Sequence, residues 1–131
     1  MVSKLRASRI ADRIREELSE MLIQEISDPR LAGISITDVM VDREIAYADI
    51  YVSALEGVQR SDDVLAGLEH AQGYLRHELA QRIELRVFPR LRFHWDPTFE
   101  KAEKIERLIA SLHQETTEPG LASGDQAEVN G

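Results

Sequence analysis

Between His70 and Trp95 the chain carries five arginines, Arg76, Arg82, Arg86, Arg90 and Arg92, against only Glu78 and Glu84. Guanidinium groups gathered in this way are suited to neutralising phosphates. They follow the tripeptide Ala71-Gln72-Gly73, whose glycine leaves backbone open to a close approach. A second, weaker basic group opens the chain: Lys4, Arg6, Arg9 and Arg13, in a stretch from Met1 to Arg15 whose one acid is Asp12. The two windows are locally +3 and +4. From composition alone the plainer interpretation is that such arginines are solvated helix faces with partners four residues away, and that alternative stays open.

Other residue types could do chemistry, but their spacing argues against it. His70 and His77 share a helical face two turns apart, a separation of about 10 Å that is too long for one metal ion. Ser61, Asp62 and Asp63 fit a helix start better than a nucleophile with carboxylates, because no base is placed beside them. There is no cysteine, which excludes disulfides, zinc thiolates, iron-sulfur clusters and thiol nucleophiles. No phosphate-cradling glycine loop or triad-like grouping occurs. We expect no catalytic residue, no metal site and no cofactor.

The net charge of −8 speaks against a nucleic-acid binder until its distribution is considered. All 16 basic residues lie between Lys4 and Arg107, whereas Glu115, Glu118, Asp125 and Glu128 lie beyond His113. Without those four acids, 20 carboxylates face 16 cations, a net of −4. A length of 131 residues suits one domain. With no signal-like or membrane-spanning apolar stretch, the chain is expected to be a cytoplasmic protein without membrane contact.

The elements that must position these residues follow from hydrophobic periodicity. Ile10, Ile14, Leu18, Met21, Leu22 and Ile26 predict an amphipathic helix over 3–26, stopped by Asp28-Pro29. Ile34, Ile36, Val39 and Val41 predict a strand whose apolar phase slips near Thr37-Asp38, a sign of a bulge. Ala46, Ala48, Ile50 and Val52 predict a second strand with one packed face, reached through an Asp42-Arg43-Glu44 turn. Tyr47, Asp49 and Tyr51 fall on its other face; the tyrosines could stack on bases or pack beneath the last helix, and they stay outside the candidate site.

Val64, Leu65, Leu68, Ala71, Leu75 and Leu79 predict helix over 62–82, capped by Ser61 and broken at Gly73 into two short helices. Leu91, Phe93 and Trp95 predict a third strand entered at Pro89, with Arg90, Arg92 and His94 outward. Asp96-Pro97 starts a last helix with Ala102, Ile105, Leu108, Ile109 and Leu112 as its buried stripe. Residues 1–113 form the expected folded domain, and 114–131 an acidic tail expected to be disordered. The fold class is α+β: helix, strand, strand, helix, kink, helix, strand, helix, with helices on one face of a three-stranded sheet.

That succession is similar to the type II K-homology fold, though the GxxG loop that clamps nucleic acid in K-homology domains is missing. Ala71-Gln72-Gly73 stands in its place, and here the chain resembles the ribosome-binding factor A family, in which an Ala-x-Gly kink replaces that loop. Further segments agree with the family in order: Arg9 to Ile14, Asp28-Pro29-Arg30-Leu31, Arg43 to Val52, and Pro89-Arg90-Leu91-Arg92-Phe93. The resemblance implies a non-enzymatic factor of ribosome biogenesis. It would bind the free small (30S) subunit and its ribosomal RNA, assist late 16S maturation including 5′-end processing, and serve in cold adaptation. It also implies a monomer, with a ribosome-associated GTPase assisting release. The RNA contact would comprise Ala71, Gln72, Gly73, Arg76, Arg82, Arg86, Arg90 and Arg92, with Lys4, Arg6, Arg9 and Arg13 as a second patch. The competing reading is a protein-interaction or dimerisation module with no RNA contact.

Overall fold

Two buried helical stripes and three alternating strands account for most of the chain's architecture, seen here in a computed structural model that describes residues 4–117. Helix α1, Lys4–Gln24, buries Ala7, Ile10, Ala11, Ile14, Leu18 and Met21 along one face. It ends before Asp28, whose carboxylate caps a single 3-10 turn at Pro29–Leu31 by accepting from the Arg30 amide. Strands β1, Ile34–Val41, and β2, Tyr47–Ala54, pair antiparallel. The register shifts between Ile36 and Asp38, where the apolar phase slips, so the expected bulge is present. Asp42 closes the turn by accepting from the Ala46 and Tyr47 amides through Oδ1.

A second 3-10 turn, Val58–Arg60, leads into α2, Ser61–Arg82. Strand β3, Arg90–Trp95, then pairs parallel with β2, which gives the sheet order β1-β2-β3. Parallel pairing requires a crossover, and α2 supplies it. Ile36, Val39, Ala48, Ile50, Val52, Leu91 and Phe93 face one core with the stripes of α1 and α2. An α+β fold with a three-stranded sheet therefore stands.

Two expectations for α2 change. The break at Gly73 is absent, and α2 is one helix of 22 residues. Its stripe of Val64, Leu68, Leu75 and Leu79 is fully buried on both sides of Gly73. Burying one such leucine is worth roughly 1.5–3 kcal/mol, more than the ~1 kcal/mol cost of a glycine in mid-helix. Ser61 is the first helical residue rather than the cap: the preceding 3-10 turn puts Arg60 at the N-cap, with no side-chain capping bond. Asp62 and Asp63 do occupy the first turn, where carboxylates favour the helix dipole.

The chain divides into two compact units, at Asp96 and Pro97. The second contains α3, Thr98–Thr117. Ala102, Ile105, Leu108, Ile109 and Leu112, expected to be buried, are exposed. The helix also takes in residues 114–117, expected from sequence to belong to the tail. The remaining tail expectation, residues 118–131, lies outside the described residues.

Candidate nucleic-acid interface

The arginines between His70 and Trp95 divide into those held inside the fold and those left free. Strand β3 is an edge of the sheet, so alternate carbonyls on its outer side need donors from elsewhere. Helix α2 provides them. Gln72 Nε2 donates to the Leu91 carbonyl at 2.7 Å. Arg76 donates through Nε to Pro89 O at 3.1 Å and through Nη2 to Phe88 O at 2.6 Å. These two side chains therefore stitch α2 to β3 and hold the tripeptide beside the strand. Their polar ends are used within the fold.

Arg82 is more deeply committed. Its guanidinium lies 2.6 Å from Glu25, 3.5 Å from Glu17 and 3.5 Å from Glu78, so it joins the end of α2 to α1. The hydrogen bond from Arg82 holds the Glu25 carboxyl below its ordinary value, and the same bond raises Arg82. Arg13 reaches this junction as well, donating through Nη2 to Arg82 O at 3.0 Å. Arg92, exposed on β3, is held by Asp49 at 2.9 Å and 3.0 Å.

Gly73 has an exposed position on α2. A Cβ built there meets nothing within 4 Å, so no neighbour in the described fold requires a glycine. Ala71 is half-buried and packs against the core. Arg86, in the connection 83–89, and Arg90, first in β3, are exposed, and their side chains make no hydrogen bond or ion pair among the described residues. On α1, Lys4, Arg6 and Arg9 are exposed too.

The structure thus ties Gln72 and Arg76 to the entry and start of β3, with Ala71 packed against the core and Gly73 on an exposed part of α2. It commits Arg82 and Arg13 to the junction of α1 and α2. Of the candidates between His70 and Trp95, Gly73, Arg86 and Arg90 are those that the described fold leaves exposed and does not use. The open face of β2 and β3 also holds Tyr47, Asp49, Tyr51 and His94, which the alternation of each strand puts on one side but which do not figure among the candidates read from sequence. Among the described residues, no three His, Asp or Glu side chains gather to hold a metal ion, and no helix is long and apolar enough to cross a membrane.

Comparison with known proteins adds a family. The family model described as Ribosome-binding factor A matches residues 6–109. A Ribosome-binding factor A from Staphylococcus carnosus is 36% identical over 113 residues, covering 86% of this chain and 98% of that protein. One from Chromohalobacter salexigens is 41% identical over 106 residues, covering 79% of this chain and 81% of its own length. Among solved structures, the crystal structure of ribosome-binding factor A from Thermus thermophilus aligns with a TM-score of 0.61 at 26% identity, covering 68% of this chain and 93% of that one. A Thermus thermophilus ribosome binding factor A homology model fitted into the cryo-EM map of a 30S complex aligns with a TM-score of 0.55 at 26% identity, covering 66% and 91%.

Proposed function

The chain belongs to the ribosome-binding factor A family, and from that premise we propose that it binds the free small ribosomal subunit and assists the late maturation of its 16S ribosomal RNA, including processing of the 5′ end. The observation that carries this reading is the family match over residues 6–109, which spans α1 through most of α3. A relative of the same fold fitted into a 30S complex supports the choice of subunit. The factor acts without catalysis. It stabilises one conformation of immature RNA and leaves when the finished subunit no longer offers that conformation, so its effect equals its difference in affinity for the two states.

The RNA contact lies within residues 1–113. Gly73 allows a close backbone approach, Arg86 and Arg90 neutralise phosphates, and Ala71, Gln72 and Arg76 hold that surface in place. Lys4, Arg6 and Arg9 form the weaker second patch. The acidic stretch from 114 onward stays outside the contact, since like charge repels phosphate. A cytoplasmic monomer, a role in cold adaptation and release assisted by a ribosome-associated GTPase complete the reading.

Sedimentation of a lysate through a density gradient tests it. The protein is expected with free small subunits and absent from translating ribosomes, and small subunits from cells lacking it are expected to accumulate 16S precursor with an unprocessed 5′ end. Equal association with translating ribosomes, or normal 5′ ends, contradicts the proposal.

A further inference from the structure

The face of the sheet turned away from the shared core of α1 and α2 carries a continuous group of aromatic and charged side chains. Register pairs Tyr47 with Arg90, Asp49 with Arg92 and Tyr51 with His94. Strand alternation turns all six away from the buried Ala48, Ile50, Leu91 and Phe93. The Arg92 guanidinium carbon lies 4.0 Å from the centroid of the Tyr47 ring. The Tyr51 and His94 rings stack with centroids 4.9 Å apart and planes 26° from parallel. Between the two pairs, Asp49 accepts both Arg92 bonds and sits 2.7 Å from His94 Nε2. One carboxylate therefore fixes the partner of each tyrosine.

We infer that this open face is a stacking platform for unpaired nucleobases of RNA. Flat π-surfaces already held in position lose little side-chain freedom when a base stacks on them, and stacking accepts every base. The Arg92 guanidinium over Tyr47 is itself planar and suited to stacking. Tyr47 and Tyr51 are four residues apart on one strand, about 13 Å, a span that suits two bases separated by one nucleotide on an extended strand. Tyr47 is 38% exposed, enough to receive one. The Arg90 side chain, in register with Tyr47, has no partner among the described residues and is available to the phosphate linking such bases.

An apolar protein partner fits less well, because Met40 is the one large apolar side chain exposed on the neighbouring part of β1. Cross-strand pairing alone would stabilise the sheet, but β-branched residues at 47 and 51 would serve that need equally well. The inference rests on the reading of the chain as an RNA binder and adds nucleobases to a contact otherwise made of phosphates.

The test uses the full chain and a labelled single-stranded oligoribonucleotide of ten nucleotides, beside the same oligomer with abasic riboses at its central positions. Anisotropy titrations at constant salt should show wild type binding the intact oligomer about tenfold or more tighter than the abasic one, the loss expected from one or two stacked bases. Tyr47→Val with Tyr51→Val should lower affinity for the intact oligomer by a similar factor, barely change that for the abasic one, and leave the salt dependence unaltered. Tyr47→Phe with Tyr51→Phe should bind like wild type.

Equal affinity of wild type for both oligomers overturns the platform even if the valine variant does not fold. So does a folded valine variant that still discriminates between them. A wild-type dimer in sedimentation that becomes monomeric in the valine variant would give this face to a second copy and also overturn it. Wild type that binds no RNA of any kind, small subunits included, removes the RNA-binding reading itself.

Discussion

Gly67 and Gly73 lie on the same helix, and their surroundings differ. A Cβ at Gly67 would come within 3.0 Å of Leu31 Cδ2 and 3.2 Å of Arg30 Cβ, whereas at Gly73 it would meet nothing within 4 Å. Gly67 lets α2 approach the 3-10 turn Pro29–Leu31, whose Leu31 is 3% exposed. Arg60 braces the same turn by donating to Ala32 O and Arg30 O. The first glycine is explained from inside the molecule and the second is not, which directs attention to what approaches Gly73 from outside. The arginines divide the same way: Arg82 is consumed by the fold, while Arg86 and Arg90 are not.

The largest effect expected from this contrast is at Gly67. Replacing it with Val should destabilise the protein by about 2 kcal/mol, within the range for overpacking a filled core, as read from denaturant midpoints. A smaller, pH-dependent effect belongs to Arg82. Glu25 is held below its ordinary value of 4.5 by the Arg82 hydrogen bond, so this pair stabilises the fold above that pH and the contribution is lost as pH falls through the lowered value. Arg82→Ala should therefore be less stable than wild type at neutral pH, with the gap narrowing below pH 4.5. A gap that stayed constant down to strong acid would show that packing, rather than charge, is what Arg82 supplies.

The smallest effect, with the opposite sign, is at Gly73. Gly73→Ala should raise stability by about 0.5–1 kcal/mol, because alanine is the better helix former and no neighbour resists its methyl group. A loss of stability there would return Gly73 to the fold.

The same contrast explains what was legible beforehand. The bulge at Thr37-Asp38, the buried face of β2 and the entry of β3 at Pro89 were readable because each leaves a mark in period-two alternation or in backbone chemistry. The continuity of α2 was not, since a local rule penalises Gly73 while the decisive burial of Leu75 and Leu79 comes from distant strands. The cap of α2 was misplaced by one residue because Val58–Arg60 form a turn with no apolar phase to betray it. Sequence placed the arginines after Gly73 but could not separate free from bound. Glu78, four residues before Arg82, was foreseeable as a partner; Glu17 on α1 and Glu25 just after it depend on how two helices dock. For the same reason Gln72 and Arg76 looked available when in fact they complete the edge of β3.

The central claim is that Gly73, Arg86 and Arg90 serve a contact with the small subunit and not the fold, and one titration addresses it directly. Binding of purified small subunits is measured against salt concentration for wild type and for a variant combining Gly73→Ala, Arg86→Ala and Arg90→Ala, with thermal unfolding recorded on the same samples. The account predicts a variant at least as stable as wild type that binds more weakly and with a shallower salt dependence, since two phosphate contacts and the counterions they release are gone. A stable variant with unchanged affinity and unchanged salt slope would contradict it and move the contact to Lys4, Arg6 and Arg9 on the first helix.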